Sequence, residues 1–454
     1  MDVVVVGSQF GDEGKGRFTD YYAEQADAVV RYQAGPHTGH RVVTHAGQFR
    51  FVQVPAGVLR GRPCGLGNGC VVDPVALVEE IRGFEQAGLS VDLHIAPTCH
   101  VIFPYHRLQD EAMEIWRGAP LRSPATDREA SASANRELGS TRRGVGPCRE
   151  DKIGRIGLRL VDLLDPDSAR PRMEKLHALK RRWIATLAPA LADDAEAWDV
   201  PAITARYLDA VATLSPALDD IPTWLEGLSA SGKSVVYEGA QSVMLDIEHG
   251  TYPFCSSGYS AGGGVFVGAG IPPGRPLDIL AVAKAYTTRV GGGPLATEIE
   301  DEDTANAIAE RGREYGTVTG RRRRIGWLDL PLLKRSIQLD GVRALCLSCL
   351  DVLSDLPTVQ VAVAHTVDGR TITTYATEQA RVGDFHPVYE TFPGWPGFDP
   401  DRAAREGLSA LPPEARAYLS FIARSLDVEF AAIGVGADRA HTITVTDPFH
   451  SRAS

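Results

Sequence analysis

The sequence predicts an α/β fold with a mainly parallel central sheet, a glycine-rich phosphate loop after the first strand, flanking helices and small insertions. Four consecutive valines, Val3 to Val6, are typical of a strand that is buried on both faces. This run leads directly into a loop that is rich in glycine. Further along the chain, short apolar runs alternate with amphipathic stretches of helix length, which favours a parallel sheet.

The first loop has the composition of a phosphate-binding site. Gly11, Gly14 and Gly16 let backbone N–H groups approach phosphate oxygens, and Lys15 supplies a positive charge. A helix predicted from about residue 17 to 26 adds the positive potential of its N-terminus. Because Gly16 stands where a standard P-loop has Ser or Thr, the usual hydroxyl ligand for magnesium is missing.

The remaining predicted elements follow from apolar periodicity. Runs at 2–6, 235–237, 279–283, 343–353 and 358–364 predict strands, and residues three and four apart predict helices at 76–88, 105–116 and 170–188. The polar, Ser/Ala-rich stretch 121–138 predicts a mobile surface insertion, and the glycine-rich stretch 260–274 predicts a flexible loop. Without a repeat or a clear linker, we expect residues 1–454 to form one domain.

Composition narrows the function classes. The chain has 454 residues, is 44% hydrophobic and 23% charged, and carries a net charge of -11, which argues against a nucleic-acid-binding surface. The start MDVVVVGSQF has no signal-peptide pattern, and no apolar run is long enough to span a membrane, so we expect a cytoplasmic protein. The pair Cys346 and Cys349 lies in an apolar run, and we expect a buried strand there with reduced thiols.

Several polar clusters are candidate sites. Asp12 lies inside the phosphate loop, where a carboxylate suits metal binding or acid–base work, and His37 and His40 flank a glycine turn. Four arginines in 320–324 favour a clamp for carboxylate or phosphate over a solvated charge run. Asp351 follows an apolar run, at the end of a strand where ligands of α/β sheets bind.

These residues together predict an enzyme that handles a nucleoside triphosphate and a second anionic substrate. Asp12 and His40 are its acid–base candidates, and the reaction itself stays open at this point.

The chain resembles the adenylosuccinate synthetase family. The resemblance rests on GSQFGDEGKG, VVRYQAGPHTGH, RGVGPCREDKIGRIGLR, YEGAQSVMLDIEHGTYPF, AYTTRVGGGPLATE, YGTVTGRRRRIGWLDL and YETFPGW, in this order. It implies a GTP-hydrolysing C–N ligase of purine biosynthesis that joins L-aspartate to C6 of IMP through a 6-phosphoryl intermediate. It also implies Mg²⁺ as cofactor and a cytoplasmic homodimer.

The resemblance further assigns roles to individual residues. Asp12, His40 and Gln241 would be catalytic, and Asp12 and the Gly39 carbonyl would hold Mg²⁺. GTP would be held by Gly11, Gly14, Lys15, Gly16, Arg323, Ser348, Asp351 and Gly436. The substrate nucleotide would be held by His37, Thr141, Gln241, Ser256, Arg321 and, from a second subunit, Arg155. Aspartate would be held by Thr317, Val318, Thr319 and Arg321.

Some positions depart from the family pattern and keep alternatives open. His37 stands where Asn is expected, Arg41 and Val318 where Thr is expected, and Cys349 where a lysine would pack on guanine. The first alternative is therefore a specialised paralogue that performs the same chemistry on a modified 6-oxo purine-like nucleotide, or with another amine donor. The second is an inactive nucleotide-binding regulator. The phage branch that aminates a 2-amino purine fits less well, because we expect it to lack the carboxylate of Asp12.

Overall fold

A ten-stranded sheet forms the centre of the molecule in the computed structural model, which describes residues 1–118, 138–194, 196–315 and 322–449. In the described part, the helices are α1 (Lys15–Ala23), α2 (Pro74–Gln86), α3 (Pro104–Gly118), α4 (Val145–Ile153), α5 (Pro166–Leu187), α6 (Val200–Leu214), α7 (Ile221–Ala230), α8 (Gly264–Ala269), α9 (Glu302–Gly312), α10 (Leu330–Asp340), α11 (Pro400–Glu406) and α12 (Pro413–Leu426).

The described residues contain eighteen strands, ten of which build the central sheet. They are β1 (Asp2–Gly7), β2 (Ala28–Ala34), β3 (His40–Thr44), β4 (Gly47–Phe51), β5 (Cys64–Val72), β6 (Leu93–Ile95), β7 (His100–Val101), β8 (Val235–Glu238), β9 (Leu277–Lys284), β10 (Thr287–Arg289), β11 (Arg324–Gly326), β12 (Leu328–Asp329), β13 (Ala344–Ser348), β14 (Thr358–Val367), β15 (Arg370–Ile372), β16 (His386–Pro393), β17 (Phe430–Gly434) and β18 (Thr442–Thr444).

The central sheet runs in the order β18-β17-β13-β9-β1-β8-β2-β5-β6, and β7 pairs with β5. Its strand pairs are parallel except β17 with β18. The predicted α/β fold with a mainly parallel sheet is therefore confirmed. Because β1, β2, β8, β9, β13 and β17 run in the same direction, the loops that follow them meet at one edge of the sheet, where α/β proteins bind ligands.

The position of β1 in the core agrees with the strand predicted from Val3 to Val6, buried on both faces. Every residue of β1 is buried, with β8 on one side and β9 on the other. Smaller antiparallel sheets add to this frame: β3 pairs with β4, β10 with β11, and β14 with β15 and β16. No helix in the described ranges is long and apolar enough to cross a membrane.

Two sequence expectations need comment. The stretch 260–274 was expected to be a loop, but it contains the helix α8, so that expectation is wrong in part. Of the predicted insertion 121–138, only Leu138 falls within the described residues.

Candidate active site

A cleft of about 1710 Å³ lies at the carboxyl edge of the central sheet. Its volume exceeds that of a typical single-ligand pocket, so it suits two substrates of nucleotide size. Most of the predicted site residues line it: Gly11, Asp12, Gly14, Lys15, Gly16, His37, Gly39, His40, Thr141, Gln241, Ser256, Arg323, Ser348, Asp351 and Gly436.

The phosphate loop is shaped by a carboxylate that the sequence left without a role. Glu13 is fully buried, and its side chain accepts hydrogen bonds from the backbone N–H groups of Gln9 (3.0 Å) and Gly11 (2.9 Å). Its other oxygen lies 2.5 Å from Lys15 Nζ. Gly14 has φ 94° and caps α1, a conformation that favours glycine. Glu13 therefore fixes the loop and holds Lys15 at the N-terminus of α1.

Asp12 is the acid of this loop that faces the cleft. Its side chain is 33% exposed, and Oδ2 accepts a hydrogen bond from Arg323 Nε at 2.8 Å. Burial would raise the pKa of the Asp12 carboxyl, but Arg323, Lys284 and Lys15 together hold this pKa below its ordinary value. The carboxylate is thus kept ionised, in the state that can accept a proton or bind a cation.

A buried hydrogen-bond network near Asp12 holds the side chains of Arg323 and Lys284 in place. Arg323 NH1 donates to Glu314 at 2.6 Å, and Lys284 Nζ lies 2.7 and 2.8 Å from the two oxygens of the same carboxylate. Tyr286 also donates to Glu314. Because Glu314 is buried and shared by both cations, it sets the position of Arg323 against Asp12.

His40 lies against the first turn of α1. A Cβ atom on Gly16 would come within 2.6 Å of His40 Cβ, so glycine is needed for this approach. His40 Nδ1 contacts Glu238, whose same oxygen accepts from Arg31. Burial lowers the pKa of His40 and Glu238 opposes this, while the neighbouring Arg31 and His40 hold the pKa of Glu238 at about 2 despite its burial.

Gln241 and His37 are in contact with each other in the lining of the cleft. Gln241 Nε2 lies 2.7 Å from His37 Nε2 and donates to Thr38 Oγ1 at 3.2 Å. Burial, reinforced by the charge of Arg149, lowers the pKa of His37 to about 3, so this ring is neutral. His40 therefore carries the acid–base potential of the histidine pair.

Another part of the cleft is built on the end of β13 and the loop after it. Ser348 Oγ donates to the Glu13 carbonyl at 2.7 Å, which ties this loop to the phosphate loop. Burial raises the pKa of Asp351, and Arg17 opposes the rise. Arg17 also donates to the carbonyls of Gly436 (2.5 Å) and Asp438 (3.0 Å), so it fixes the loop after β17 beside Asp351.

Some of the predicted site residues are not among the residues that line the cleft. Arg155 lies outside the residues that line the cleft of its own chain. Four others fall outside the described residues, namely Thr317, Val318, Thr319 and Arg321.

The sequence reasoning missed the residues that support the acid–base groups. These are Glu13, Arg31, Glu238, Lys284 and Glu314, and all are buried. One signal was present in the sequence, because a single charge at the end of an apolar strand, as in VVYEG or AVVRYQ, is a buried charge that needs a partner.

The residues present fit a hard cation such as Mg²⁺. No cluster of three His, Cys, Asp or Glu side chains suited to a metal occurs in the ranges that the structure covers. Magnesium, however, is commonly bound by one or two protein oxygens together with substrate phosphates. The ionised Asp12 carboxylate and the loop of Gly39 line the same cleft as Lys15.

Comparisons with known proteins find similar sequences. The family model described as adenylosuccinate synthetase matches residues 4–443. Adenylosuccinate synthetase of Heliobacterium modesticaldum is 39% identical over 449 residues, covering 98% of this chain and 99% of the relative, and that of Gloeobacter violaceus is 40% identical, covering 99% and 97%.

Two solved structures are similar to this chain. The fully ligated adenylosuccinate synthetase of Plasmodium falciparum has a TM-score of 0.86 and 29% identity, covering 98% of this chain and 99% of that one. Succinoaminodeoxyadenylate synthetase of cyanophage S-2L has a TM-score of 0.59 and 17% identity, covering 98% and 96%, and shows the shared fold alone.

Proposed function

Because the chain belongs to the adenylosuccinate synthetase family, we propose that it joins the amino group of L-aspartate to C6 of IMP with hydrolysis of GTP. Membership also places it among the GTP-dependent C–N ligases of purine biosynthesis, as the sequence predicted. The observation that carries the proposal is the placement of an ionised Asp12 and the His40–Glu238 pair beside one phosphate loop.

The first step activates the 6-oxo group. Asp12 accepts the N1 proton of the base, and the electron pair moves to O6, which attacks the γ-phosphorus of GTP while GDP leaves. When His40 is protonated, Nδ1 donates to Glu238 and Nε2 is the ring nitrogen that donates to a phosphoryl oxygen. Lys15 and the N-terminus of α1 stabilise the charge on the phosphates.

The second step replaces phosphate by the amine. The free amine of aspartate attacks C6, the C6–O bond breaks, and inorganic phosphate leaves with the electron pair and takes up the proton that the nitrogen loses. Phosphate is a much better leaving group than the original oxo group, which is why the reaction uses GTP. Gln241 orients the 6-oxo position in this proposal.

A bound magnesium ion would neutralise charge on the GTP phosphates. We assign its protein ligands to the Asp12 carboxylate and the Gly39 carbonyl, on the fit described above. The GTP base would be read by Asp351, which can accept two hydrogen bonds from the guanine edge.

The proposal includes a homodimer that works in the cytoplasm. Arg155 would reach the 5′-phosphate of the partner subunit's nucleotide. Its surroundings support this, because Ile153 is 74% exposed and Ile156 is 41% exposed on either side of it. Thr319 and Arg321 would hold aspartate.

Incubation with GTP, aspartate and IMP tests the proposal. Adenylosuccinate should form in equal amount to GDP and phosphate, detected by mass and by phosphate release, and Asp12→Asn serves as the inactive control. Absence of a succinyl adduct with IMP and with a panel of other 6-oxo purine nucleotides would refute ligase activity.

A second candidate is the same reaction on a modified 6-oxo purine nucleotide. Cys349, and His37 with the charge of Arg149 acting on it, favour this candidate, because all three residues line the cleft that would hold a purine nucleotide. Adduct formation with another nucleotide of the panel, but not with IMP, would select this candidate. The inactive regulator is disfavoured because Asp12, Lys15, His40 and Gln241 line one cleft.

A further inference from the structure

One arginine of the segment 140–159 differs from its neighbours. Arg142 is exposed and pairs with Glu111 at 3.3 Å, and Arg155 lies outside the cleft. In the described structure, Arg149 is the arginine of this segment that lines the cleft.

The Arg149 guanidinium is buried without a protein acceptor. The residue is 9% exposed, and NH1 has no hydrogen-bond partner among the described residues. It forms no salt bridge with an acid of those residues either. Burial lowers the pKa of Arg149, and Asp246 is the carboxylate whose charge opposes this shift. Both Asp246 oxygens, however, already accept hydrogen bonds from backbone N–H groups, those of Glu248, His249, Ser260 and Ala261. A buried guanidinium with free N–H donors is a site for an anion.

The surroundings of Arg149 favour the same kind of ligand. It lies one turn into α4, whose first residues Val145 and Gly146 also line the cleft, so the helix N-terminus adds positive potential. The hydroxyl-bearing residues Thr141 and Ser256 line this cleft as well. Hydroxyls, helix N–H groups and a guanidinium together form a typical phosphate site.

Gly258 makes room for this arginine. A Cβ atom at Gly258 would lie 1.7 Å from Arg149 NH1 and 2.4 Å from its guanidinium carbon. The guanidinium therefore lies directly against the backbone that follows Ser256, and any larger residue at position 258 would displace it.

We propose that Arg149 binds the 5′-phosphate of the nucleotide substrate from within the same chain, alongside Thr141 and Ser256. The inference rests on the proposed function for the identity of the nucleotide. It assigns to the chain a phosphate contact of its own, in addition to the one expected from the partner subunit. The reaction has other anionic groups, namely the GTP phosphates and the aspartate carboxylates, and titration with IMP alone separates the nucleotide phosphate from them.

The test compares a nucleotide with its nucleoside. IMP and inosine are titrated calorimetrically into the wild type, Arg149→Met, Arg149→Lys and Gly258→Ala, with Arg142→Met as matched control. Arg149→Met should weaken IMP binding roughly 10- to 100-fold, the range of a charge-assisted contact, and leave inosine binding unchanged. Arg149→Lys should restore part of the loss. Gly258→Ala should resemble Arg149→Met although it keeps the charge, and Arg142→Met should match the wild type.

Three results would contradict a contact between Arg149 and the 5′-phosphate. Equal weakening of IMP and inosine, or no weakening of IMP, would overturn the phosphate contact, and so would a raised KM for aspartate with unchanged IMP affinity. If no succinyl adduct forms in the activity assay while Arg149→Met still weakens nucleotide but not nucleoside, the proposed reaction fails and the phosphate contact stands.

Discussion

Replacing Glu238 by glutamine should disable His40 without touching the substrates. Glu238 is fully buried, and one of its oxygens is shared by His40 Nδ1 and Arg31 NH2. The other oxygen accepts the backbone N–H of Ala56 at 2.9 Å. Glutamine keeps the shape of the side chain but removes its negative charge, so the change isolates the electrostatic role.

The expected effect is a lower pKa of His40. Burial already lowers this pKa, and Glu238 is the group that opposes the shift. An adjacent opposite charge is worth about 1–3 pKa units, so its loss reduces the protonated fraction of His40 about 10- to 1000-fold at neutral pH. Since a general acid must carry its proton, kcat should fall within that range, and the alkaline limb of the kcat–pH profile should move to lower pH.

The same change should lower stability in a predictable pH window. The pKa of Glu238 is about 2 in the fold against an ordinary 4.5, and a depressed carboxyl pKa stabilises the fold above the ordinary value and loses this contribution as pH falls toward 2. The difference corresponds to about 3 kcal/mol. The variant should therefore unfold more easily at pH 7, and its stability should depend less on pH between 4.5 and 2.

Two measurements check this, the kcat–pH profile and denaturant unfolding at several pH values. Glu80→Gln is the matched control, because Glu80 accepts backbone N–H groups of Val52 and Gln53 and does not contact His40. The control should keep the wild-type pH profile. A folded Glu238→Gln enzyme with wild-type kcat and an unshifted alkaline limb would refute the role of Glu238 as the partner of His40.

Three further outcomes are expected. Asp12→Asn should lower kcat about 10²–10⁴-fold at saturating magnesium, as expected for loss of a catalytic base, while the variant stays folded; near-normal turnover would remove Asp12 from the mechanism. Mixed Asp12→Asn and Arg155→Leu subunits should regain part of the activity that each lacks alone, and no gain after proven subunit exchange would count against a shared site. GTP should exceed ATP roughly 10- to 100-fold in kcat/KM, since adenine leaves the Asp351 carboxylate unpaired, and Asp351→Asn should reduce this preference; equal use of ATP by the wild type would end the guanine assignment.

The fold was predictable where local pattern and packing agree. The four valines of β1 predict a strand that is buried on both faces, as the structure shows. The glycines of the first loop predict a phosphate site. The prediction of a loop at 260–274 was wrong in part, because the stretch contains α8, in which Gly268 serves packing. A Cβ on Gly268 of α8 would lie 2.1 Å from the Tyr32 carbonyl, and one on Gly69 of β5 would lie 2.4 Å from it. Sequence alone does not distinguish a glycine that permits close contact between two elements from a glycine that ends a helix or strand.

The candidate site contains two groups of residues, those that would touch substrates and those that shift the pKa of the first group. Residues that would touch substrates, such as Asp12 and His40, could be found because reaction chemistry requires their types near a phosphate loop. The groups that shift their pKa could not, because these pairs join residues that are far apart in the sequence: Glu238 is 198 positions from His40, and Arg323 is 311 positions from Asp12. Asp12 and His40 thus have pKa values that depend on burial and on charged residues from distant parts of the chain. Exchanges at the supporting positions should shift pH profiles, whereas exchanges at Arg149 or Asp351 should shift substrate affinity, so kinetics can separate the two groups of residues.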